Sequence, residues 1–136
     1  MIDQLSAETH RRPVSSMHPQ SSRQARSIVR GYLSGLRPPV TPETVDNVLL
    51  VVSELVTNAY RHAGGLSGFR VSGAAGNLHV RVTDPSPVLP HSRSTGTDKD
   101  LERAGGFGWP LVHHLAREVT VRREPQGGKT IEVVIR

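Results

Sequence analysis

Three groups of residues in this chain have types and spacings suited to a charged ligand. Glu54 and Asn58, within the stretch SELVTNAYRHA, stand four residues apart, so on a helix they project from one face with about 6 Å of rise between their backbones. Arg61 extends that face by a further turn. A solvent-facing side of an amphipathic helix has the same look, but Leu50 and Val51 flank this side one turn earlier, where a buried face gives way to a polar one. Asp84 forms the second group. It shares the parity of Leu78, Val80 and Val82, and a strand places every second residue on one face, so its carboxylate ends a core-facing row. An ionised group in that place needs a partner or a hydrogen bond. The alternative is that Asp84 lies just past the strand and opens a turn with Pro85. The third group is Gly105-Gly106-Phe107-Gly108, running into Trp109-Pro110 at a helix start. Glycines let a backbone approach a ligand, and the free N–H groups and dipole of a helix N-terminus favour phosphate, although a glycine run by itself is more often a hinge.

Other chemistries are poorly matched. No Gly-Lys-Ser/Thr follows the glycine run, as a P-loop requires, and no strand leads directly into it, as a dinucleotide fingerprint requires. The chain has no cysteine, which removes disulfides, thiolate catalysis and cysteine-based zinc sites. Among its histidines only His113 and His114 adjoin, and adjacent helical positions point about 100° apart, which suits a shared metal poorly. The formal charge of +5 comes from 17 basic residues spread among 12 acidic ones, without a basic-aromatic stripe, so no direct nucleic-acid contact is expected. The densest basic cluster, Arg11, Arg12, Arg23, Arg26 and Arg30, reads as a solvated face. No apolar stretch approaches the roughly 20 residues that span a bilayer. The polar N-terminus carries no secretory signal pattern, which makes a cytoplasmic location the default expectation.

The elements that must position these groups follow from periodicity. Residues 1–18 are expected to form a mostly loose tail, with Val14 to Met17 able to pair as a short edge strand, and residues 19–136 a single domain. Ala25, Ile28, Val29, Tyr32, Leu33 and Leu36 recur at three and four, which predicts an amphipathic helix over 19–36. A second helix opens with Thr41 as cap, Pro42 in its first turn and Glu43 near the positive end of the dipole, and runs to about Ala63 before Gly64-Gly65. Val45, Val48, Leu49, Val52, Val56 and Ala59 form its main stripe. With Leu50 and Val51 its middle is apolar nearly all round, so burial on more than one side is expected. Two strands follow, over 69–72 and 78–84, then a long loop over 85–104, a third helix over 110–117, and closing strands over 119–123 and 130–136. This order predicts an α+β two-layer sandwich. Three helices lie on one face of a mixed, mostly antiparallel sheet of about five strands.

Taken in order, SELVTNAYRHA, DPSP from Asp84 and GGFGWPLV from Gly105 resemble the N box and the two glycine boxes of the ATPase domain shared by histidine kinases, type II topoisomerases and anti-sigma serine kinases. The small stand-alone anti-sigma-factor type is the nearest look-alike, and the similarity spans residues 12–136. The resemblance implies ATP and Mg2+ as cofactors. Asn58 would hold Mg2+ against the phosphates, and Glu54 would be the general base or would orient the acceptor. Arg61 or His62 would sit near phosphate, and Asp84 would accept the adenine amino group. Gly106 and Gly108 would line the phosphate end, with residues 88–104 as the ATP lid between the third strand and the third helix. Thr130 resembles a threonine that supports the adenine-binding aspartate, although strand parity sets it opposite Ile131. Two positions depart from the pattern: Ser86 stands at the first glycine of the first box, between Pro85 and Pro87, and Trp109 follows the second box, where an aromatic resembles the anti-sigma subgroup. The implied function is an anti-sigma factor that sequesters a sigma factor and phosphorylates an anti-anti-sigma protein on serine or threonine. The alternative is an ATP-binding module that controls a partner by contact without kinase activity. Family members are often dimers, and the arginine-bearing first helix offers a contact face.

Overall fold

A computed structural model of the chain describes residues 11–14, 18–74, 76–90 and 108–136. The elements in order are β1 (Arg11–Val14), α1 (Ser22–Ser34), α2 (Pro42–Ala63), β2 (Gly68–Ala74), β3 (Asn77–Asp84), α3 (Gly108–Leu115), β4 (Glu118–Arg123) and β5 (Lys129–Ile135). The strands form one sheet in the order β1-β2-β3-β5-β4. Each of its pairings is antiparallel, so the mixed sheet expected from sequence resolves into an antiparallel one.

Alternation divides the sheet into two faces. Phe69 and Val71 of β2, Leu78, Val80 and Val82 of β3, and Ile131, Val133 and Ile135 of β5 are buried under the helices. Arg70, Ser72, His79, Arg81 and Glu132 line the opposite, polar face, where Arg81 pairs with Glu132 at 2.9 Å. α2 lies across β3 and β5 and also packs against α1 and α3. It therefore carries its polar face from the core layer towards the start of α3.

Local chemistry explains the helix ends. The Thr41 hydroxyl accepts from the Thr44 N–H at 3.2 Å, and Gly64 closes α2 in the left-handed region at φ 76°. Ser21 caps α1 by accepting from the Gln24 N–H at 3.0 Å. α1 is tied to the sheet by the Gly73 N–H, which donates to the Tyr32 hydroxyl at 2.9 Å. It is tied to α2 by a 2.6 Å hydrogen bond between the hydroxyls of Ser22 and Thr57. The Tyr60 hydroxyl donates to the Pro19 carbonyl at 2.7 Å, which holds the lead into α1 against the end of α2.

Three expectations shift in detail. The edge strand occupies Arg11–Val14, overlapping the expected segment only at Val14, and residues 15–17 lie outside the described part. The third helix begins at Gly108, ahead of Pro110, because a proline in the first turn gives up an N–H that has no intrahelical acceptor there. In the middle of α2, Val51 is fully buried, but Leu50 is 45% exposed. α1 covers α2 along Leu49 and Ser53, with Arg26 donating to the Ser53 hydroxyl at 3.0 Å, and leaves Leu50 on the rim of a groove with Arg30 and Asp46.

Candidate functional site

Glu54 and Asn58 stand on α2 half-buried, while Arg61 and His62 at its last turn are exposed. The Glu54 side chain reaches the start of α3: a Cβ built on Gly108 would collide with its carboxylate. Gly108 is buried, so glycine is required there by close approach. This contact joins the α2 polar face to the end of the glycine run. Of the expected lid over 88–104, residues 91–104 lie outside the described residues, as do Gly105, Gly106 and Phe107. Trp109 is half-buried, packs against the core and meets His113 edge-on at a centroid separation of 4.6 Å. The Asn58 side chain makes no hydrogen bond among the described residues, which leaves its amide oxygen available as a metal ligand.

Burial raises the pKa of the Glu54 carboxyl above its ordinary value of 4.5, and the positive charge of Arg61 partly offsets this. The neutral form is therefore favoured on folding. The stabilising contribution of that form is present below the ordinary value and is lost as pH rises through the raised one, so at pH above the ordinary carboxyl range Glu54 works against the fold. Glu54→Gln should melt above the wild type at pH 7, with the difference vanishing near pH 4, the ordinary carboxyl range. Thermal melts of both proteins across pH check this, and an equal gain at both ends would contradict it.

Asp84 ends the alternating buried row of β3 as its parity requires, and it is only 4% exposed. Its partner is Lys129, the first residue of β5, itself 5% exposed, with Nζ 3.0 Å from Asp84 Oδ1. The Ser86 N–H donates to the same oxygen at 2.9 Å, while the Ser86 hydroxyl turns away to accept from the Val88 N–H at 3.2 Å. Gly128 makes the junction possible. It sits at φ 87°, and a Cβ there would strike the Asp84 carbonyl oxygen and lie 3.1 Å from Pro85 Cα.

Thr130 makes no hydrogen bond to the Asp84 side chain among the described residues. In the β3–β5 register Asp84 faces Lys129, while Thr83 faces Thr130, and the Thr83 and Thr130 hydroxyls hydrogen-bond at 2.8 Å on the other face of the sheet. The buried partner is the residue before it. Lys129 shares the parity of Ile131, Val133 and Ile135, and a lysine in a core-facing row is the signal that would have found it.

With this geometry in hand, the sequence matches the profile of the histidine kinase-like ATPase domain over residues 16–135. The chain belongs to the histidine kinase-like ATPase domain family. A relative within reach of this ATPase domain is a protein from Staphylococcus aureus named serine-protein kinase RsbW, 29% identical over 133 aligned residues that cover 86% of this chain and 82% of the relative. The ATPase-domain fold is also similar to a chain in the crystal structure of the SiaB-SiaC complex from Pseudomonas aeruginosa. That match has a TM-score of 0.54 and 14% identity, and it covers 98% of this chain and 94% of the other. Among the described residues, no helix of the ATPase domain is long and apolar enough to cross a membrane.

Proposed function

We propose that the chain binds Mg-ATP and acts as a serine/threonine protein kinase and anti-sigma factor, phosphorylating an anti-anti-sigma protein and sequestering a sigma factor. The observation that carries this reading is the Glu54 carboxylate set against Gly108 at the first turn of α3. It brings a proton acceptor to a helix N-terminus, the place where backbone N–H groups suit phosphate oxygens. The family and the kinase name of the staphylococcal relative support the same chemistry.

The residues present fit both implied cofactors. For the nucleotide, Asp84 offers a buried carboxylate with one oxygen uncommitted among the described residues. For Mg2+, Asn58 offers one hard oxygen, which suits an ion that takes most of its ligands from phosphate and water. Bound there, Mg2+ would neutralise phosphate charge. Glu54 takes the proton of the acceptor hydroxyl as its oxygen bonds to the γ-phosphorus and the bond to the β,γ-bridging oxygen breaks, releasing ADP. The raised pKa of Glu54 suits this task, since a base works best with a pKa nearer the working pH. Arg61 supplies positive charge, or His62 on the same turn of α2 a ring N–H, towards phosphate, and the first amides of α3, at Gly108 and Trp109, receive its oxygens.

A second reading keeps the nucleotide and drops the transfer, with control of the partner by contact alone. What favours it is Lys129 lying across Asp84, with Ser86 at the first glycine position. Incubation with γ-labelled ATP and a candidate anti-anti-sigma protein separates the two. Label on a serine or threonine of that protein supports the kinase, and ATP-dependent binding without label supports the contact regulator.

A further inference from the structure

The Asp84–Lys129 pair is both buried and incomplete. Asp84 Oδ1 accepts from the Ser86 N–H and from Lys129 Nζ, while Oδ2 accepts nothing among the described residues. Lys129 Nζ has three protons to give and two acceptors, Asp84 Oδ1 at 3.0 Å and the Ser86 carbonyl at 3.3 Å. Its third N–H has no acceptor among the described residues. Among the described residues Arg81 Nε is the side-chain atom that is both buried and without a partner, so Asp84 Oδ2 keeps its spare acceptor capacity within reach of solvent, and hence of a ligand. Here one open acceptor and one open donor lie side by side at the end of the sheet.

Their positions are fixed. The antiparallel register sets Asp84 opposite Lys129, and the close approach of Gly128 to the Asp84 carbonyl leaves the start of β5 no room to withdraw. Two bonds to the ammonium hold its direction. The ligand edge that complements this arrangement carries a donor next to an acceptor. The amino group and the neighbouring ring nitrogen N1 of adenine form such an edge.

We infer that Lys129 is a specificity-determining residue of the nucleotide site, donating to adenine N1 while Asp84 Oδ2 accepts from the adenine amino group. The inference rests on the ATP reading above and adds a second point of base contact to it. Hypoxanthine presents a carbonyl oxygen and an N–H in the same two places, so it meets the aspartate with an acceptor and the lysine with a donor. Both contacts are then lost.

Calorimetric titration of the full chain tests this with three Mg-nucleotides: ATP, the ATP analogue in which N1 is replaced by CH, and inosine triphosphate. A hydrogen bond from a charged donor predicts that the wild type binds the N1-less analogue about tenfold or more weakly than ATP, and inosine triphosphate more weakly still. Lys129→Met should bind ATP and the N1-less analogue with equal affinity. Equal affinity of the wild type for those two nucleotides, or discrimination that persists in Lys129→Met, overturns the inference. If the variant does not fold, equal wild-type affinity for ATP and the N1-less analogue still overturns the inference. Failure of the ATP reading gives a different result, in which the wild type binds none of the three.

Discussion

Asp84→Ala should unfold in urea at lower denaturant than the wild type, with a loss of about 3–5 kcal/mol measured without nucleotide. The magnitude comes from what remains after the change. Lys129 is 5% exposed, and its best acceptor is Asp84 Oδ1, so removal of the carboxylate strands an ammonium in the core layer with only the Ser86 carbonyl at 3.3 Å. The Ser86 N–H loses its acceptor in the same step, which loosens the entry to the loop after β3. Asp84→Ala combined with Lys129→Met should recover most of the loss, because replacing both members of a buried pair by apolar groups is often neutral, whereas breaking it is not. Denaturation curves of the two single variants and the double variant decide the point. Additive losses would show that the pair carries no coupling.

Glu54→Ala should bind Mg-ATP with near wild-type affinity and lower phosphoryl transfer by about 10²–10⁴-fold, the usual contribution of a positioned general base. Glu54 reaches Gly108 from α2 and is set by that contact to face the start of α3, where no other carboxylate lies within the described residues of α3. Single-turnover transfer to the anti-anti-sigma protein separates binding from chemistry. An unchanged rate would assign Glu54 to structure, and a parallel loss of binding and rate would assign it to the nucleotide pocket as a whole.

Much of this arrangement was legible in the sequence because its signals are local. Thr41, Pro42 and Gly64 mark the ends of α2 through capping and backbone conformation, and the row Leu78, Val80, Val82, Asp84 fixes which way the carboxylate points. The partner of Asp84 was harder to see. Lys129 is distant in the chain and enters the site only through the β3–β5 register, which depends on the crossover through α3 and the β4–β5 hairpin. Parity contained the information, since Lys129 aligns with Ile131 and Thr130 does not, but resemblance to a threonine drew attention to the neighbouring position. The contact of Glu54 with Gly108 is of the same non-local kind, set by how α3 packs on α2. Leu50 shows the limit of helical periodicity, which gives the angle of a side chain and leaves open how far the neighbouring helix extends over it.

The central claim is that the Asp84, Asn58 and Glu54 faces form a Mg-ATP site. Its most direct test is the melting temperature of the wild-type chain with and without saturating Mg-ATP. At a nucleotide concentration 100 times the dissociation constant, binding to the folded state alone stabilises it by about 2.7 kcal/mol, which appears as a clear upward shift. A melting temperature that stays the same up to millimolar Mg-ATP would contradict the account.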